Sequence, residues 1–150
     1  MPSMSLDDIL KDAIEREQAA HDFYLGLSRT TVRPGMREVF EQFAGEELAH
    51  KARLQRVRDG DVQLVPKGKV VDLGIAEHLA GLEPQGDLDY AQALMLAMQR
   101  EKASFRLYTA LAGHATDPVA RDLFQGLAQE EARHKLRFEI EYDEAILTEN

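Results

Sequence analysis

The sequence has 150 residues, which is about the size of one domain with a buried core. Its 27 acidic and 18 basic residues give a formal net charge of −9, which argues against nucleic-acid binding and against docking on anionic lipid. Because it contains no cysteine, disulfides, thiolate metal sites and a cysteine nucleophile are excluded. No apolar run is long enough to span a membrane, and the N-terminal residues lack a signal-peptide pattern, so we expect a cytoplasmic protein.

Apolar residues recur at helical spacing along most of the chain, and no stretch alternates as a strand would. Ser5, followed by Asp7 and Asp8, is a suitable N-cap for a first helix. Pro34 suits the first turn of a second helix, and Asp117 followed by a proline marks the start of a fourth. These signals predict helices over about 6–28, 34–59, 87–112 and 117–147.

Short links between the first and second helices, and between the third and fourth, predict two antiparallel helical hairpins. We therefore predict one all-α domain over 1–150, with hairpins at about 6–59 and about 87–147. The connection at about 60–86 is long enough to run along a bundle. Its apolar stretch, Leu73–Leu82, is compatible with one or two turns of helix.

The two predicted hairpins are copies of one another. Residues 9–57 align with residues 93–141 at a constant offset of 84 without a gap, and 16 of the 49 positions are identical. This identity is far above chance, and the long connection lies outside the repeat. The chain is therefore an internal duplication of a helical hairpin.

A glutamate interrupts the centre of the apolar stripe of every predicted helix. In the second and fourth helices, a histidine follows that glutamate three residues later, on the same helix face. The positions are Glu17, Glu47, His50, Glu101, Glu131 and His134.

Four carboxylates in an apolar interior would each cost several kcal/mol unless their charge is balanced. Protonation is one solution, but no Lys or Arg lies near these positions on the stripes to provide ion pairs. Two divalent cations would balance four carboxylates, and oxygen-rich ligation with two imidazoles favours iron or manganese, although zinc could also bind. Di-iron carboxylate bundles use two single glutamates and two Glu-x-x-His motifs as ligands, and the positions in this sequence match that set.

On these residues, the sequence resembles the ferritin-like superfamily and, within it, the rubrerythrin group. The resemblance spans both hairpins. The motifs that carry it are Glu17-x6-Tyr24, Glu47-x-x-His50, Glu101-x6-Tyr108 and Glu131-x-x-His134.

The resemblance implies a ferritin-like four-helix bundle that holds two iron ions, with manganese or zinc as possible substitutes. It implies that Glu47 and Glu131 bridge the ions, and that Tyr24 and Tyr108 hydrogen-bond to ligating carboxylates, which would orient them. The other ligands would be terminal, pairing Glu17 with His50 and Glu101 with His134.

Two features depart from the rubrerythrin pattern. The family has a further glutamate one turn before the third-helix ligand, where this sequence has Met98, with Ile14 at the equivalent position of the first helix. Rubrerythrin also carries a C-terminal rubredoxin domain with four cysteines, and this sequence has none. We therefore expect any reductant to come from another molecule.

Other ionisable residues near the motifs are weaker candidates. Glu46 and Glu130 could replace their neighbours as ligands, but they lie off the apolar stripes. His21 follows Glu17 by one turn and is expected beside the site or at the solvent edge. The acids near the C-terminus, Glu139, Glu141, Asp143 and Glu144, are expected to form a solvated face.

The predicted function is that of a non-haem di-iron oxidoreductase that detoxifies hydrogen peroxide or dioxygen, using electrons from an external donor protein. Two alternatives remain: a ferroxidase or iron-handling protein, and a non-catalytic bundle stabilised by its metals. We expect a homodimer, because each hairpin leaves a second face exposed, and no nucleic-acid or membrane partner.

Overall fold

A computed structural model describes residues 5–62 and 86–147. These residues form four long α-helices and no β-strand, so the all-α prediction is confirmed. Most of the predicted connection, including Leu73–Leu82, lies outside the described residues. The helices are α1 (Leu6–Thr30), α2 (Met36–Arg58), α3 (Tyr90–His114) and α4 (Pro118–Tyr142), and a π-helical segment, Asp143–Leu147, follows α4.

The chain divides into two compact units, Met1–Val71 and Asp72–Asn150. The first contains α1 packed against α2, which we call hairpin 1, and the second contains α3 packed against α4, which we call hairpin 2. Each unit is therefore one of the two predicted helical hairpins.

The ends of the helices in hairpin 1 follow from local hydrogen bonds and backbone conformation. α1 begins as predicted, because the Ser5 side chain accepts a hydrogen bond from the Asp8 N–H at 3.1 Å. α2 begins two residues after the predicted Pro34, because Gly35 adopts φ 79°, in the left-handed region that a right-handed helix does not use. At the other end of α2, Arg58 donates to Asp7 at 3.0 Å and links that end to the start of α1.

In hairpin 2, the predicted start of α3 was three residues early. α3 begins at Tyr90, because the Asp89 side chain accepts from the Gln92 N–H at 2.7 Å and the Gln92 side chain accepts from the Asp89 N–H at 3.0 Å. α4 begins at Pro118 as predicted, with Asp117 as its N-cap. The predicted end near Leu147 is reached, but the last five residues are π-helical.

The apolar stripes of the helices are buried. Phe40 and Leu54 of hairpin 1 and Leu94 and Phe124 of hairpin 2 are each 0% exposed. The same stripes carry the predicted glutamates and histidines, so the helices that form the core also position those side chains. Within residues 5–62 and 86–147, no helix combines the length and apolar character needed to cross a membrane.

Candidate metal centre

Hairpin 1 brings one histidine and two glutamates together in its interior. Glu17 comes from α1, and Glu47 and His50 come from successive turns of one face of α2. All three are at most 2% exposed. The Nδ1 atom of His50 lies 3.6 Å from Oε2 of Glu17 and 3.7 Å from Oε1 of Glu47. We call these three residues half-site 1.

Hairpin 2 repeats this arrangement with the residues 84 positions later in the chain. Glu101 comes from α3, and Glu131 and His134 come from α4, again at most 2% exposed. The Nδ1 atom of His134 lies 3.6 Å from Oε1 of Glu101 and 3.9 Å from Oε1 of Glu131. We call these three residues half-site 2. The duplicated sequence therefore produces a duplicated geometry.

The distances within each half-site suit a shared metal ion better than direct hydrogen bonds. Each separation between the imidazole nitrogen and a carboxylate oxygen exceeds 3.5 Å, which is too long for a hydrogen bond. Two ligand atoms that each lie about 2.1 Å from one ion can be up to about 4.2 Å apart. In each half-site, the three residues offer ligand atoms within 4.8 Å of one another.

The charge of each half-site leads to the same conclusion. Two buried carboxylates and a neutral imidazole carry a charge of −2, which one divalent cation would balance. Without a cation, such buried charges are costly, by several kcal/mol for each ion. Two oxygen ligands and one imidazole nitrogen, with no sulfur, suit iron, manganese or zinc. The donor set of each half-site therefore fits a divalent metal ion.

The weaker candidates lie outside both half-sites. Glu46 and Glu130 are half-buried and do not belong to the clusters of potential metal ligands. The Nδ1–H group of His21 donates to the Ala44 carbonyl oxygen at 2.8 Å, which holds this ring nitrogen on the backbone of α2. His114 is exposed and is the last residue of α3.

The two predicted tyrosines are buried beside phenylalanines of the neighbouring helix. Tyr24 and Tyr108 are each 1% exposed. The ring of Tyr24 stacks on Phe40 with centroids 6.5 Å apart, and the ring of Tyr108 lies 6.2 Å from that of Phe124. That these tyrosines hydrogen-bond to ligating carboxylates stays a prediction.

Met98, which stands where the rubrerythrin pattern has a further glutamate, is half-buried on α3.

One buried carboxylate was assigned wrongly from the sequence. Glu141 was expected on a solvated face, but it is 2% exposed and accepts a hydrogen bond from the Tyr90 hydroxyl at 2.5 Å. The signal was present in the sequence, because Glu141 continues the buried stripe of α4 that includes His134 and Phe138. Its counterpart in hairpin 1 is Val57, so this buried polar pair belongs to hairpin 2 alone.

We expect Tyr90→Phe to destabilise the protein by about 1.5–3 kcal/mol, because a hydrogen bond to a charged group is lost inside the protein. Replacing both residues with their hairpin 1 counterparts, Tyr90→Leu with Glu141→Val, should recover most of that loss, because an apolar pair leaves no buried charge. Urea unfolding of the wild type and both variants measures these differences. Equal stability of the wild type and Tyr90→Phe would contradict the assigned role of the hydrogen bond.

A family model and two solved structures show what this chain is similar to. The sequence model of the rubrerythrin family matches residues 8–142, which include all six residues of the two half-sites. The chain belongs to the rubrerythrin family. Among curated proteins, none matches this sequence.

Two solved structures share the fold. One is from Thermotoga maritima and is described as a ferritin-like diiron-carboxylate protein. Its sequence is 22% identical to this one, and the two structures superpose with a TM-score of 0.71 over 97% of this chain and 98% of that chain. The other is a hypothetical protein from Pyrococcus furiosus, with 23% identity and a TM-score of 0.70, covering 93% of this chain and 89% of that chain. The predicted ferritin-like fold is therefore confirmed.

Proposed function

We propose that half-sites 1 and 2 together hold a pair of iron ions, and that the protein is a di-iron oxidoreductase that consumes hydrogen peroxide or dioxygen. The observation that carries this proposal is the repeated geometry: each hairpin buries two carboxylates and one imidazole within reach of a common ion. Membership of the rubrerythrin family supports iron as the metal.

In this proposal, the six ligands have different tasks. Glu47 and Glu131 would be shared by the two ions, while the other four residues, one glutamate and one histidine from each half-site, would each hold a single ion. Glutamates suit a site whose charge changes, because a carboxylate can bind through one oxygen or through two. A bound ferrous pair would supply two electrons to the oxidant.

The surroundings of the half-sites also favour a reaction with a small oxidant. The histidines are 0% exposed, and large apolar side chains such as Phe40 and Phe124 lie on the same helix stripes. Such packing limits access to small molecules, which suits peroxide or dioxygen as the oxidant. We propose that an external electron-donor protein re-reduces the site, because residues 1–150 contain no cysteine that could hold an iron–sulfur redox centre.

Ferroxidase activity is the second candidate, and Met98 is the observation that favours it. This residue occupies the position where rubrerythrin has a further glutamate, so the site offers one carboxylate fewer to accept protons and charge. In that case, the protein would bind and oxidise ferrous iron and then release or store it. Storage needs a hollow shell of many subunits, whereas we propose a cytoplasmic homodimer, and sedimentation distinguishes the two.

The decisive experiment compares the two oxidants. The protein is loaded anaerobically with two ferrous ions per chain, and separate samples are mixed with hydrogen peroxide and with dioxygen. The near-ultraviolet absorbance of ferric iron is followed over time. Faster oxidation by peroxide supports the peroxidase, and equal or faster oxidation by dioxygen supports the ferroxidase.

A ferrous protein that reacts with neither oxidant would overturn both proposals. That result, combined with a large loss of thermal stability after metal removal, would identify a non-catalytic bundle stabilised by its metals.

A further inference from the structure

The outer surface of hairpin 2 is more apolar than that of hairpin 1, although the two hairpins are copies. The helices of hairpin 1 expose Leu48 (37%), whereas the exposed large apolar side chains of α3 and α4 include Met95 (44%), Phe105 (38%), Leu136 (55%) and Ile140 (42%). At the same positions of the repeat, hairpin 1 has Lys11, His21, Ala52 and Arg56. Each large apolar residue in one copy is therefore polar or small in the other.

A groove between α3 and α4 runs across this surface. It has a volume of about 430 Å³, and its lining combines the apolar Phe105 and Leu136 with the basic Lys102, Arg106 and Lys135. Lys135 forms an ion pair with Glu139. Neither Lys102 nor Arg106 forms a salt bridge with any residue that the structure describes. The groove therefore presents two uncompensated positive charges on a chain of net charge −9.

The corresponding surface of hairpin 1 has its polar groups bound to one another. Lys51, the counterpart of Lys135, donates to Gln18 at 2.7 Å, and Gln18 donates to Asp22 at 3.0 Å. Gln18 and Asp22 replace Lys102 and Arg106 of hairpin 2. This combination of Lys102 and Arg106 with the exposed Phe105 and Leu136 is therefore not repeated in hairpin 1, and the helical scaffold by itself does not require it.

The extent and charge of this surface indicate what covers it. A small ligand in the groove would leave Met95 and Ile140 exposed, because neither residue lines it. A second copy, joined by a two-fold axis through the groove, would bring Lys102 and Arg106 of both chains into one contact, where like charges repel. An acidic protein surface complements both the positive charges and the apolar side chains around them.

We propose that this surface, defined by Met95, Lys102, Phe105, Arg106, Leu136 and Ile140, docks a small acidic electron-carrier protein. The inference rests on the proposed function, which requires an external donor. Lys102 adjoins Glu101 in sequence, and Lys135 adjoins His134, so a carrier docked here is separated from half-site 2 by about the 10 Å width of one helix. Each reduced carrier would give up one electron, so two encounters would supply the two electrons that the proposed reaction consumes.

The test measures binding without turnover, using the zinc-loaded protein and an acidic flavodoxin as the probe. We expect changes in the amide NMR signals near Phe105 and Leu136 at low salt, and binding that weakens at least about tenfold at 200 mM salt. Lys102→Gln with Arg106→Gln should weaken binding by about tenfold at low salt. Lys11→Gln with Arg56→Gln, which removes the same charge from exposed positions of hairpin 1, should change it by less than about twofold.

A second pair of substitutions tests the apolar part of the surface. Phe105→His with Leu136→Ala introduces the hairpin 1 residues and should also weaken binding, with circular dichroism verifying that the variant is folded. Because binding is measured on a redox-inactive form, failure of the peroxide reaction would leave this result intact.

Three results would overturn the docking proposal. The first is no binding of flavodoxin at low salt, and the second is equal weakening by the two charge-matched pairs, which indicates attraction by overall charge. The third is a dimer that dissociates when Leu136 and Ile140 are replaced by lysine, which shows that a second copy covers the surface.

Discussion

Replacing His50 with alanine should lower the affinity for the first-bound iron by more than about 100-fold. Outer partners of metal ligands already contribute about 10–100-fold to affinity, so loss of a ligand should cost more. His134→Ala should have a similar effect, because the two half-sites have nearly the same geometry. Anaerobic titration with ferrous iron, followed by calorimetry, measures both the affinity and the number of ions per chain.

The chain provides a matched control for this experiment. His21 lies one turn from Glu17, but its Nδ1–H group donates to the Ala44 carbonyl oxygen. His114 is exposed at the end of α3. His114→Ala should leave iron binding unchanged, and His21→Ala should change it by less than about tenfold. If His21→Ala abolished binding while His50→Ala did not, the ligand assignment would be wrong.

Removing the metal with a chelator should lower the melting temperature by about 8–16 °C. An ion present at about a thousand times its dissociation constant stabilises the folded state by about 4 kcal/mol. For a chain of about 150 residues, each kcal/mol shifts the melting temperature by about 2–4 °C. Differential scanning calorimetry of the metal-loaded and chelated protein measures this shift.

Substitution of buried glutamates tests whether the metal stabilises the protein by balancing the charge of these side chains. Glu17→Gln with Glu101→Gln removes two buried charges and keeps the side-chain size, so the metal-free variant should melt at a higher temperature than the metal-free wild type. Iron should then stabilise the variant much less than the wild type. Glu46→Gln with Glu130→Gln is the control, since these repeat-related positions lie outside the half-sites. An unchanged melting temperature on chelation would favour a buried polar network that holds no metal.

The sequence predicted the four helices because the physical signals for them are local. Ser5 and Asp117 cap helices through hydrogen bonds to N–H groups two or three residues away, so the chain order alone places them. The start of α3 was predicted early because the reciprocal bonds between Asp89 and Gln92 compete with helix formation at Asp87. The start of α2 was misplaced because Gly35 adopts a left-handed conformation that composition does not reveal.

The six candidate ligands could be selected from the sequence because duplication made the signal stronger, and their role as ligands stays a prediction. One Glu-x-x-His motif is common by chance, but two at a fixed offset of 84, each with a preceding glutamate on the paired helix, define a pattern. The sequence favoured Glu47 over its neighbour Glu46, because Glu46 lies off the apolar stripe. The burial of the two side chains agrees with that preference, since Glu47 is 1% exposed and Glu46 is half-buried.

By itself, then, the sequence determined the helical class, the pairing into hairpins and the identity of the candidate metal ligands, because helix periodicity and the repeat are properties of residue order. Tertiary structure decided which polar groups meet. Glu141 is buried because the hydroxyl of Tyr90, 51 residues earlier, reaches it, and His21 is held away because the Ala44 carbonyl lies opposite it. The tertiary structure likewise shows that Leu136, which lies off the apolar stripe of α4, is exposed, because the packing of α3 against α4 leaves that face uncovered.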